Sequence, residues 1–128
     1  MRTRDVGFLA AAAVLLAACG RSPAAPAPTP AQLIRPIQVD SVQALVQAAQ
    51  VSVRVRGVVG DGCTELASVT VIRADAGVDI LILSQRPAEA ICTQIARLYD
   101  ETLRVAGEFA AGHYVLRVNS VETSFDVP

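Results

Sequence analysis

The sequence predicts an all-β domain, an antiparallel β-sandwich of about seven strands, and three observations carry that prediction. From residue 37 onward apolar residues recur mostly with a period of two, the spacing that sends alternate side chains to opposite faces of a strand. The apolar runs are short and are separated by Gly, Asp, Asn or Pro about every eight to twelve residues, the turn spacing of a sandwich or barrel. The end of the chain closes on itself as a hairpin in a single register.

Length and charge narrow the remaining classes. A chain of 128 residues has room for one such domain. Hydrophobic residues make up 52% of it, an excess concentrated in positions 1–18, so the remainder has an ordinary globular balance. Eleven basic residues, all Arg, face twelve acids for a net charge of −1. Such a balance exerts no long-range attraction on nucleic acid, and no nucleic-acid partner is expected.

At the start of the chain, Arg2 and Arg4 precede an uncharged stretch at 6–17 that is too short to span a bilayer as a helix. Positions 1–18 read as a signal peptide. The stretch ends Leu16-Ala17-Ala18-Cys19, which resembles the bacterial lipobox: an aliphatic residue, two small residues and a cysteine. The resemblance implies diacylglycerol in thioether linkage on Cys19, cleavage between Ala18 and Cys19, and an extracytoplasmic protein anchored in the membrane by its lipid. That membrane is the outer face of the cytoplasmic membrane, or the outer membrane where one exists. Small side chains let an extended backbone enter a peptidase cleft, and the thiol is the nucleophile that takes the lipid. One acyl chain holds a protein to a membrane only marginally, whereas two or three anchor it stably. The alternative is an ordinary signal peptide that leaves Cys19 an incidental thiol.

Residues 19–36 follow as the lipidated cysteine and a Pro/Ala-rich linker. Pro23, Pro26, Pro28 and Pro30 prevent helix and sheet from propagating. In polyproline II geometry, at about 3.1 Å per residue, this segment reaches roughly 50 Å. It serves either as a spacer or as a leader of no selected length.

The folded domain is expected over 37–128. Segment 41–49 offers a helical face through Val42, Leu45, Val46 and Ala49 and a strand face through Val42, Ala44 and Val46; the strand is favoured. Val51, Val53 and Val55 face one way and Ser52, Arg54 and Arg56 the other. Val69 and Val71 alternate with Ser68 and Thr70, and Val78, Ile80 and Ile82 follow. The run Ile80-Leu81-Ile82-Leu83 is apolar on both faces, which predicts a central strand with its second face covered. Segment 87–99 reads as a short helix that turns Ile91, Ile95 and Leu98 inward, or as an irregular crossing between sheets. Leu103, Val105 and Phe109 alternate with Thr102, Arg104 and Glu108 as a further strand.

The closing hairpin is the most tightly specified piece. A two-residue turn at Asn119-Ser120 pairs Val118 with Val121, Leu116 with Thr123 and Tyr114 with Phe125, and sets Arg117 opposite Glu122. A slip of one residue breaks the apolar and the charge pairing together. The strand count and turn spacing indicate immunoglobulin-like topology, with an up-and-down barrel as the alternative.

The stretch 57–64, the Cys92-Thr93 pair, and the closing Ala111-Gly112-His113-Tyr114-Val115-Leu116-Arg117-Val118-Asn119 with Phe125 resemble secreted Ig-like domains of bacterial lipoproteins. Their last hairpin often reads AGxYxVxVNG. The likeness covers roughly 51–127 and supports the fold while implying no activity; Ser120 departs from the pattern, which favours Gly there.

With Cys19 assigned to lipid, Cys63 and Cys92 remain as an even pair, and thiols outside the cytoplasm oxidise, so a Cys63–Cys92 disulfide is expected. A metal site made of both cysteines and His113 has no recognisable ligand spacing, and no metal or cofactor is expected. His113 is the one histidine, placed beside Gly112, and reads as an exposed turn residue rather than a catalytic base. Asp61 with Glu65, and Asp75 with Asp79, follow no calcium-loop pattern. No catalytic residue is predicted. The candidate binding loop is Asp61, Gly62, Thr64 and Glu65, beside Cys63 in a Gly-rich stretch. These features predict a non-enzymatic binding or structural module of the cell envelope, held to the membrane through Cys19 and meeting a protein or envelope partner. The alternative is a secreted protease inhibitor, whose loop the disulfide holds rigid.

Overall fold

The computed structural model describes residues 23–128, so the expected signal segment and Cys19 lie outside the described residues. Eight strands form two sheets: β1 (Gln32–Pro36), β2 (Gln38–Gln47), β3 (Gln50–Gly60), β4 (Glu65–Ala74), β5 (Gly77–Pro87), β6 (Arg97–Arg104), β7 (Gly112–Val118) and β8 (Val121–Val127). The smaller sheet runs β2-β3-β6, with β3 central. In the larger sheet β4 lies along one side of β5. The other side of β5 is shared: β7 pairs with its first half, β1 pairs with its second half, and β8 lies beyond β7.

Period-two burial builds the core. Val51, Val53 and Val55 of β3 are buried, while Arg54 and Arg56 between them are exposed. They join Val78, Ile80 and Ile82 of β5, Leu116 and Val118 of β7, and Phe125 and Val127 of β8 in one apolar cluster between the sheets. Each such side chain contributes about 1.5–3 kcal/mol by leaving water. At one end of the cluster Phe109 meets Tyr114 and Phe125 edge to face, and the Arg73 guanidinium lies 3.9 Å from the Phe109 ring centroid.

The expected strand at 41–49 is β2. Val42, Ala44 and Val46 pack against the core and Leu45 is exposed, so the period of two prevails over the helical face. The β7–β8 hairpin has the predicted register: Val118 pairs with Val121, Leu116 with Thr123, Tyr114 with Phe125 and Arg117 with Glu122. The Arg117 Nε donates to Glu122 at 2.8 Å.

Five expectations change. The linker does not extend to Pro36: Gln32–Pro36 forms β1, because this stretch is free of proline until its last residue and β5 offers an unpaired edge beyond the end of β7. Proline is tolerated as the terminal residue of an edge strand. Second, 87–99 contains no helix. Ala88 N–H donates to Ala31 O at 2.8 Å and Cys92 is tied to Cys63, so the segment is held irregular until β6 begins. Ile91 and Ile95 are exposed rather than turned inward, since no core surface lies under this connection. Third, β5 is central, but Leu81 is exposed, because no layer covers the outer face of the larger sheet among the described residues. Fourth, the sandwich is antiparallel except where β5 and β7 pair in parallel. The strand expected through Phe109 ends at Arg104, although Val105 and Phe109 remain buried.

Asn119 carries more than a turn. Its φ of 51° is left-handed, a conformation that Asn tolerates better than most residues. Its backbone N–H donates to Ile80 O at 3.0 Å, and its side-chain oxygen accepts from Ile82 N–H at 2.8 Å. Its amide nitrogen donates to Ile37 O at 2.9 Å and Ile82 O at 3.1 Å. Asn119→Ala leaves the Ile82 N–H and the Ile37 O without these partners and is expected to lower stability by about 1–3 kcal/mol. Asn119→Asp, which cannot donate to either carbonyl, is expected to fail as a rescue. Urea unfolding of both variants reads the loss directly; an unchanged midpoint for Asn119→Ala refutes the bridging role.

Candidate functional site

The loop predicted for binding joins β3 to β4 at one end of the sandwich. Gly60 has a φ of 144°, and a Cβ there would press on the Thr64 side chain. A Cβ on Gly62 would collide with Thr93 Oγ1, so the close approach of the two loops requires glycine. Gly62 N–H donates to Thr93 O at 2.9 Å, and the Cys63–Cys92 disulfide, with Cα atoms 5.5 Å apart, joins the same two loops covalently.

Asp61 organises the interior of this loop. One carboxylate oxygen accepts from Thr64 Oγ1 at 2.8 Å and from Cys63 N–H at 3.1 Å, closing an Asx turn. The other accepts from Arg86 at 2.6 Å. The Thr64 hydroxyl foremost, then the Cys63 N–H and the Arg86 charge, hold the Asp61 carboxyl below its ordinary pKa. Arg86 also donates to Ala90 O at 3.0 Å and approaches Cys92 Sγ at 3.4 Å, while its Nε is buried without a partner. Arg97 donates to Thr64 O at 3.0 Å. Strand β5 thus supplies one cation and β6 another, and both hold the loop from behind.

The four predicted loop residues are brought together, but mostly to satisfy one another. Asp61 and Thr64 point inward, Thr64 is buried, Gly62 is engaged through its backbone, and only Glu65 projects freely. Arg86 and Arg97 had no signal in the sequence, because their partners are backbone and side-chain atoms far along the chain. The oxygen of Asp61 and the sulfurs of Cys63 and Cys92 lie within 4.8 Å of one another. Both sulfurs are in the disulfide, which removes the thiolates that a metal would bind. His113 is at the exposed start of β7, where Nδ1 lies 2.7 Å from Asp126.

A cleft of about 410 Å³ adjoins the loop, lined by Leu33, Arg35, Val59, Asp61, Ser84 and Arg86. Buried Ser84 donates to Arg35 O at 3.1 Å. The Arg35 guanidinium has no ion-pair partner among the described residues.

The model of the ORF11 beta-sandwich domain matches residues 53–127, more than half of the chain. The chain belongs to that family. Within the ORF11 domain lie the disulfide, the Asp61 loop and Asn119, whereas β1 and β2 precede the matched residues. Two proteins of Herpetosiphon aurantiacus, named as uncharacterized 10.2 kDa proteins in the HgiBIM and HgiEIM 5′ regions, are 31% identical over 72 residues. That match covers 56% of this chain and 88% of each relative. A third, in the HgiCIIM 5′ region, is 31% identical over 72 residues and covered to 77%. No solved structure matches the chain.

Closing a loop of 29 residues stabilises the ORF11 domain by about 3 to 4 kcal/mol in the chain-entropy model. A Cys63→Ala/Cys92→Ala double variant is therefore expected to unfold at markedly lower urea, and an unchanged midpoint refutes the brace. Because the folded Asp61 has a depressed pKa, its contribution is present above the unfolded value and is lost as pH falls through the folded one. Stability of the natural protein should fall more steeply below about pH 4 than that of Asp61→Asn; parallel pH profiles of the two refute the assignment.

Proposed function

We propose that this protein is an extracytoplasmic lipoprotein, tethered to the membrane through Cys19, that acts as a non-enzymatic binding or structural module of the cell envelope. The observation that carries the reading is the Cys63–Cys92 disulfide. Disulfides persist where thiols oxidise, outside the reducing cytoplasm. The remaining cysteine, Cys19, stands in Leu16-Ala17-Ala18-Cys19 after a charged and then apolar leader. Compartment and anchor thus have separate support. Residues 23–31, exposed and without helix or strand, suit a tether between lipid and domain.

The inward aim of Asp61 and Thr64 supports a module over the alternative of a secreted protease inhibitor, which requires a loop that offers free groups to a protease cleft. The exposed His113–Asp126 pair, at a sheet edge, lacks the shelter from water that makes electrostatic catalysis effective, which also favours the non-enzymatic reading.

Intact mass of the membrane-extracted protein tests the proposal. Expected are cleavage before Cys19, the added mass of two or three acyl chains, and the loss of two hydrogens at Cys63 and Cys92. Cys19→Ala should leave the membrane fraction; a Cys19→Ala protein processed at the same site and still membrane-bound would overturn the anchor.

A further inference from the structure

Nine large aliphatic residues are exposed among the described residues, and six of them stand at one end of the sandwich. Leu33 and Ile34 begin β1, Leu66 begins β4, Ile91 and Ile95 lie between β5 and β6, and Leu98 begins β6. The register places these segments together: Gln32 pairs with Pro87 at the end of β5, Glu65 with Gln85, and Arg97 with Gly60 at the end of β3. Three of the six are exposed almost as in an unfolded chain, Ile91 at 101%, Leu98 at 82% and Ile95 at 70%. Scattered surface aliphatics are ordinary, but three this exposed within the short stretch 91–98 mark a contact surface.

The same end is where the tether leaves the domain. Ala31 O accepts from Ala88 N–H, so the chain enters β1 beside the connection that carries Ile91 and Ile95. Cys19 stands twelve positions before Ala31, a reach of about 37 Å at about 3.1 Å per residue. The eleven residues of β5 extend about 36 Å at about 3.3 Å per residue. A lipid on Cys19 therefore presents the aliphatic end to the bilayer by default, and the β4–β5 turn at Asp75 reaches it only with the tether drawn out fully.

We infer that Ile91, Ile95 and Leu98 form a second membrane contact, seating this end of the domain at the head-group and acyl-chain boundary of the bilayer that holds the lipid. This rests on the lipoprotein reading above. The charges nearby balance: Arg35 and Arg97 against Glu65 and Glu89, with Arg86 paired to Asp61. The contact is therefore apolar, indifferent to salt and in no need of anionic lipid. The tether supplies a high local concentration of bilayer, so a small apolar surface suffices where a free domain would dissociate.

The chain has no Trp, so one introduced Trp reports on its own surroundings. Full-length Ile95→Trp and Asp75→Trp proteins, extracted with their lipid and checked by mass for the disulfide, are placed in phosphatidylcholine vesicles with and without brominated acyl chains. Emission of Ile95→Trp should shift to the blue and be quenched about twofold or more by brominated lipid, while Asp75→Trp at the opposite end is unaffected. Unshifted, unquenched Ile95→Trp on vesicle-bound protein overturns the contact and leaves the anchor standing. A blue shift without quenching overturns it in favour of contact with a second copy of this chain, and equal quenching of both variants overturns the orientation. Protein without lipid mass that fails to stay with vesicles overturns the lipoprotein reading itself.

Discussion

The side-chain amide of Asn119 stands in for a peptide group where pairing along β5 passes from one neighbour strand to another. Along the shared edge of β5, pairing with β7 ends at Ile80 and pairing with β1 begins at Leu83. Ile82 lies in the gap, and its N–H and C=O both meet the Asn119 amide. A buried peptide group left unpaired costs as much as a lost hydrogen bond, so this side chain lets two strands of different direction share one edge. The same amide reaches Ile37, where the chain passes from β1 in one sheet to β2 in the other. One residue thereby joins the closing hairpin, the central strand and the crossing between sheets.

The disulfide end follows a different logic. Asp61 gathers a hydroxyl, a backbone N–H and a guanidinium inside a loop whose glycines allow close approach, and the disulfide joins that loop to the irregular connection after β5. The two restraints act on different states. The covalent link limits the unfolded chain, and the Asp61 network fixes the folded loop. What the loop gives up in free polar groups, the adjoining connection offers in exposed aliphatic ones.

Elements whose reasons are local were legible in the sequence. Valines at every second position of 51–55 identify β3, and the closing hairpin was specified to its individual pairs, because apolar and charge matching fail together on a slip. The cysteine pair followed from its even number once Cys19 was set aside. The candidate loop was located, but the direction of its side chains was not, because Arg86 and Arg97 reach it from strands distant in sequence. At 87–99 the apolar spacing of Ile91, Ile95 and Leu98 suggested a helix facing a core; periodicity reports that residues share a face and says nothing of what that face meets.

The sequence by itself determined an all-β sandwich, most of its strands, the terminal register and the disulfide partners, since alternation, turn residues and cysteine number act over a few neighbouring positions or as a simple pairing. Tertiary structure decided which strands lie side by side. It recruited the end of the proline-rich segment as β1, because only the assembled sheet exposes the free half-edge of β5. It set β7 parallel to β5 and gave Asn119 its bridging partners, contacts that span the length of the domain. It also left the aliphatic residues around 91–98 uncovered beside the point where the chain enters β1, an arrangement that depends on the path of the chain into the fold.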